Sequence, residues 1–174
     1  LEHLETIPDD ELVCFIDAFD VLLLRPLSEI EEYFNSIVKI SNKKIIIACD
    51  RVKFQTIKVM ADYIFDTCKD IAINTGTYLG RAKDVKQILK QIMQNNMDET
   101  LDDQKLLTEY CVLNPDIFYI DQDSIFFLTI ENPLHDIADE NTKITNNQLS
   151  YMGTRPFFIH ANGNGKLDNI IKNL

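Results

Sequence analysis

Two carboxylates three residues apart, Asp17 and Asp20, lie between the apolar runs Leu12-Val13-Cys14-Phe15-Ile16 and Val21-Leu22-Leu23-Leu24. An apolar run without polar alternation reads as a strand buried on both faces. Such a strand cannot hold an unpartnered carboxylate in its middle. Asp17 and Asp20 are therefore expected where the strand leaves its sheet, facing the crevice in which open α/β sheets bind ligands. Like charges sharing a crevice need a cation or a proton between them, and a hard divalent ion with oxygen ligands answers that need. The plain alternative is a surface turn with two solvated carboxylates.

Other chemistry-bearing residues also fall at predicted strand or helix ends: Asn74, Asp102 with Asp103, and His160. Each alone has a structural reading. Acidic residues in a first helical turn complement the helix dipole, and a strand-end His can be a simple hydrogen-bonded residue. Together, two Asp oxygens and one imidazole nitrogen make a mixed ligand set that suits manganese better than calcium, with magnesium also fitting. Beyond His160, Gly163 and Gly165 would bring backbone N–H groups and Lys166 a cation, so a diphosphate bridging metal and loop would have its charge offset from both sides. A transferase whose leaving group is a nucleoside diphosphate needs that arrangement.

The elements that position these residues alternate between strand and helix. Strands are expected over residues 12–16, 45–48, 71–73, 117–120 and 125–128, and in the run Pro156-Phe157-Phe158-Ile159 that leads into His160. Helices are expected after Pro26 (apolar Ile30, Phe34, Ile37 and Val38), from Ala82 to Met93, from an opening over residues 98–104 through Cys111, and over 167–174. Residues 74–80 (NTGTYLG) read as a glycine-bearing turn that lets backbone approach a ligand. Residues 51–69 read as loop with some helix, and 131–150 as a long polar loop. The alternation predicts a layered α/β domain with a mostly parallel sheet.

At 174 residues the chain reads as one domain with a substantial core. Its 17 Lys and Arg against 28 Asp and Glu argue against a phosphate-binding nucleic-acid surface. No segment is apolar enough for a membrane span. Cys14, Cys49 and Cys111 read as small core residues, and the spacing of the four cysteines supports neither a disulfide framework nor a structural zinc site.

Residues 13–20 (VCFIDAFD), 73–80 (INTGTYLG), 101–104 (LDDQ) and 159–163 (IHANG) follow the order of one family's motifs. The chain resembles the glycosyltransferase domain of procollagen lysyl hydroxylases and related collagen glycosyltransferases, including giant-virus members. The resemblance implies a GT-A (Rossmann-like) fold, a UDP-glucose or UDP-galactose donor, and Mn2+ held by Asp17, Asp20 and His160. It further places Asp102 and Asp103 by the transferred sugar and acceptor hydroxyls, Asn74 close to the donor sugar, and Asn162, Gly163, Gly165 and Lys166 near the diphosphate. The implied acceptor is hydroxylysine or galactosyl-hydroxylysine of a collagen-like protein. The implied setting is the endoplasmic reticulum lumen, or the host cell or virion for a viral member, with room for an attached hydroxylase domain or a second copy. Ala161 stands where the family's His motif has Gly, Thr75 where the Asn-Ser-Gly motif has Ser, and residues 49–55 lack the usual Trp and Pro. Only 16 residues precede Asp17, so the chain is expected to be a fragment without its N-terminal nucleotide-binding unit.

Two readings compete with a catalytic domain. One is a degenerate, non-catalytic transferase-like scaffold or binding module. The other is a haloacid-dehalogenase-type phosphatase, but that chemistry needs Asp-x-Asp, whereas here the spacing is Asp17-x-x-Asp20.

Overall fold

A computed structural model describes residues 2–50, 67–95, 102–130, 141–162 and 167–174. The segment predicted as loop and helix over 51–69 therefore lies outside the described residues apart from its last three positions.

Two sheets meet at the Asp17–Asp20 loop. The first has four strands in the order β1 (Leu12–Ile16), β4 (Ile73–Arg81), β3 (Ile45–Cys49) and β5 (Phe118–Asp121). The second has three, in the order β2 (Val21–Leu23), β9 (Phe158–His160) and β6 (Phe127–Thr129). The apolar runs on either side of the carboxylate pair are thus two strands in two sheets, and the pair is the joint between them. β1 is also not buried on both faces: it pairs with β4 on one side only among the described residues, and Phe15 and Ile16 remain 43% and 44% exposed. A uniformly apolar run cannot tell an edge strand from a central one.

Neither sheet is mostly parallel. β3 with β5 and β6 with β9 are parallel, whereas β1 with β4, β4 with β3, and β2 with β9 are antiparallel. β4 runs against β3 because the chain re-enters the sheet where β3 leaves it: Cys49 lies opposite Ile73, and the Asp50 N–H donates to Ala72 O (2.8 Å).

β3 carries the core on both faces, as its continuous apolar run predicts. Alternate side chains point to opposite sides of a strand. Ile45 and Ile47 pack with Val85, Ile88 and Ile92 of α3 (Ala82–Asn95) and Leu107, Tyr110 and Cys111 of α4 (Asp103–Leu113). Ile46 and Ala48 face Ile30 and Phe34 of α2 (Ile30–Ser41), together with Phe126, Phe127, Phe157 and Phe158. α2 ends at Asn42, whose left-handed backbone (φ 56) returns its N–H to Val38 O (2.8 Å), a common helix stop. A third cluster, including Leu128, Ile159 and Ile170 of α5 (Asp168–Asn173), closes the second sheet.

Two further expectations are corrected. The described part of the loop predicted over 131–150 instead forms, with Tyr151, the hairpin β7 (Thr142–Thr145) and β8 (Gln148–Tyr151). Its two-residue turn puts Asn146 and Asn147 at φ 52 and 59, the backbone that Asn tolerates best after Gly. Cys68 and Cys111, 43 residues apart, form a disulfide, which no local spacing announces. It fastens α4 to the turn from which β4 emerges, where the Cys68 and Ile71 N–H groups donate to one another's carbonyls. Cys14 and Cys49 take no part in a disulfide.

Candidate metal centre

The predicted turn at 74–80 is instead part of β4, and its irregularity builds the site. Ile47 lies opposite Tyr78, but the next residue of β3, Ala48, lies opposite Asn74. Thr75, Gly76 and Thr77 are therefore a three-residue bulge without partners on β3. Bulges redirect backbone, and this one turns toward β1, where the Asp17 N–H donates to Gly76 O (2.9 Å). Gln104 in the first turn of α4 supplies what the bulge removes. Its Oε1 accepts from the Thr75 N–H and hydroxyl (both 3.0 Å), and its Nε2 donates to Ile73 O (2.7 Å).

His160 reaches the same place from the second sheet. It ends β9 opposite Val21, and the Ala161 N–H donates to Asp20 O (2.8 Å), which ties the carboxylate loop to the end of that strand. The imidazole is 2% exposed, with Nε2 3.4 Å from both Asp17 Oδ2 and Asp20 Oδ2. Nε2 is buried with no hydrogen-bond partner among the described residues, while the two carboxylates are partly open to solvent. Burial lifts the Asp17 carboxyl above its usual range; the His160 ring pulls the other way, and the charges of Asp20 and Asp103 add to the rise. A cation would reverse that penalty. The ligand atoms of Asp17, Asp20 and His160 lie within 4.8 Å of one another. Two hard oxygens and an orphaned buried nitrogen facing one point fit a divalent ion.

Gly76 is required here for space. A Cβ on it would overlap Asp17 Oδ2 and lie 2.5 Å from His160 Cε1. We expect Gly76→Ala to push these two ligands apart and weaken manganese affinity at least tenfold, as supporting changes at metal sites do. The unfolding temperature should fall as well, because the alanine methyl meets the buried His160 ring along with the partly open Asp17 carboxylate. A calorimetric manganese titration beside a melting curve checks this, and unchanged affinity would contradict it.

The structure brings Asp17, Asp20, His160 and Asn74 together and sets the other predicted residues around them. Asn74 is buried, with Oδ1 3.1 Å from His160 Nδ1. Asp102 caps α4, its carboxylate accepting from the Gln104 N–H (2.8 Å), so its structural role is realised. Asp103 is exposed on the same turn, near enough for its charge to act on Asp17. Asn162 Nδ2 donates to Asp50 Oδ1 (3.2 Å), while Asn162 Oδ1 is buried without a partner among the described residues. Gly163, Gly165 and Lys166 lie outside the described residues.

Residues 1–173 match the family described as the PLOD GT domain. The chain belongs to this glycosyltransferase-domain family. Its fold is similar to that of mouse xyloside xylosyltransferase 1 in the apo form, with a TM-score of 0.53 at 16% identity, over 95% of this chain. The chain spans 63% of that solved chain. No curated protein matches it. No helix among its described residues is long and apolar enough to cross a membrane.

Sequence reasoning passed over three residues of the PLOD domain's site. Asp50 follows the last residue of β3 and accepts from Asn162; a carboxylate after a buried run was the available signal. Gln104 was one letter of a motif and proves to be the tie between α4 and β4. Phe19, between the two carboxylates, is fully exposed, although Phe is among the residues most often buried.

Proposed function

We propose that this PLOD domain is a GT-A-type, metal-dependent hexosyltransferase that moves glucose or galactose from a UDP-sugar to galactosyl-hydroxylysine or hydroxylysine of a collagen-like protein. The observation that carries the reading is the convergence of Asp17, Asp20 and the orphaned His160 Nε2 on one point. These three would hold Mn2+, which when bound supplies fixed positive charge for the departing diphosphate. The remaining roles belong to the chain. Phe19 offers a flat apolar face to the base of the donor, beside the carboxylates its diphosphate would approach. The exposed Asp103 carboxylate is an acceptor for sugar hydroxyls, and Asp102 holds the turn that presents it. Family resemblance puts Asn162, Gly163, Gly165 and Lys166 by the diphosphate. Glucosyl transfer to galactosyl-hydroxylysine would retain configuration at the sugar, and galactosyl transfer to hydroxylysine would invert it. We further propose a single domain belonging to a longer protein, acting in the endoplasmic reticulum lumen.

Calorimetric titration of UDP tests the reading. We expect heat of binding with manganese present and little or none after chelation. Equal binding in both conditions, or none in either, would overturn it.

A further inference from the structure

The hydrogen bonds around Asn74 assign a proton. A backbone N–H can only donate, so the Asn74 atom that meets the Gly76 N–H at 3.1 Å is the amide oxygen. That oxygen is also the atom 3.1 Å from His160 Nδ1. An oxygen without hydrogen can only accept, so Nδ1 carries a proton and donates it. With one proton on the ring, Nε2 then presents its lone pair, and it faces both carboxylates with no other partner among the described residues.

We propose that Asn74 is a positioning residue that fixes His160 as the Nδ1–H tautomer, with the Gly76 N–H locking the amide that does so. The proposal rests on the metal reading above and concerns how the chain prepares its own ligand. Both lone pairs of Asn74 Oδ1 are occupied, so this oxygen acts through His160. Ligating histidines commonly donate their other ring N–H to a carbonyl or carboxylate, which fixes the tautomer and ring orientation. Here the partner is an amide, pinned by the strand bulge that also clears space for the ligands. The bulge, the glycine and the amide thus form one device.

Nitrogen-15 NMR of the histidine-labelled, metal-free protein reads the tautomer directly. A His160→Gln variant assigns the His160 signals among the chain's three histidines, and the spectrum is read where the nitrogen shifts themselves report a single ring proton. We expect a protonated Nδ1 and an unprotonated Nε2. An Nε2–H form in the unmutated protein would overturn the proposal, whatever any variant does. Asn74→Ala should shift His160 toward Nε2–H and weaken manganese binding about tenfold to a hundredfold. Asn74→Asp, which keeps an acceptor, should restore both. Unchanged tautomer and affinity in Asn74→Ala would overturn the proposal and leave the metal reading standing. An Nδ1–H ring in a protein that binds no manganese would overturn the metal reading and leave the tautomer assignment standing.

Discussion

Replacing Asp20 by alanine is expected to lower manganese-dependent sugar transfer by about 10²-fold or more, the scale on which loss of one preorganised electrostatic group acts. The protein should remain as stable as before. The Asp20 side chain meets His160 Nε2 at 3.4 Å and is partly open to solvent. Its backbone carbonyl, which accepts from the Ala161 N–H, survives the substitution. In the metal-free protein Asp20 raises the Asp17 carboxyl further above its usual range, so the two charges oppose each other. Removing one relieves that repulsion. The account therefore predicts two results that separate: transfer collapses, while the melting temperature holds or rises slightly. Asp20→Asn, nearly the same size without the charge, should behave alike. Turnover near the unmutated level, or a melting temperature that drops with the activity, would contradict the account.

The second large effect is on stability and lies away from the crevice. Asp121 ends β5 with its carboxylate fully buried. Oδ1 accepts from the Ile125 N–H (2.9 Å), and Oδ2 accepts from the Phe126 (2.7 Å) and Phe127 (2.9 Å) N–H groups. Those bonds shape the turn between β5 and β6. Charge-assisted hydrogen bonds contribute about 1.5–3 kcal/mol each, and a buried N–H left without a partner loses a comparable amount. Asp121→Ala, which orphans three, should destabilise the protein by about 5 kcal/mol. For a chain of this size that is a fall in melting temperature of about 10–20 °C. Asp121→Asn keeps one acceptor oxygen and should lie between. A shift under about 3 °C for the alanine variant, followed by circular dichroism, would contradict the assignment.

Which residues gather at the candidate site was more legible than the scaffold that gathers them. Two carboxylates between apolar runs and a His after an apolar strand declare themselves by type, because burying any of them needs a partner. Helices α2, α3 and α4 follow from apolar spacing, and β3 from its unbroken run. What stayed hidden depends on contacts between distant segments. Asn74-Thr75-Gly76-Thr77 reads as a turn because Asn and Gly punctuate turns. It is a strand bulge because Gln104, 29 residues away from Thr75, repairs the backbone bonds that the bulge breaks. The parallel sheet was inferred from alternation alone, while β4 reverses direction through a turn whose anchor, the Cys68–Cys111 disulfide, has no local signature. The 142–151 hairpin was within reach, since Asn146-Asn147 between alternating residues is a two-residue turn signal. Polarity outweighed it.

Crystals grown with manganese and UDP, with diffraction recorded on both sides of the manganese absorption edge, test the central claim most directly. The account predicts one anomalous peak enclosed by Asp17, Asp20 and His160 Nε2, with the diphosphate against it. A peak held by other residues, or UDP bound with no anomalous signal at this point, would contradict it.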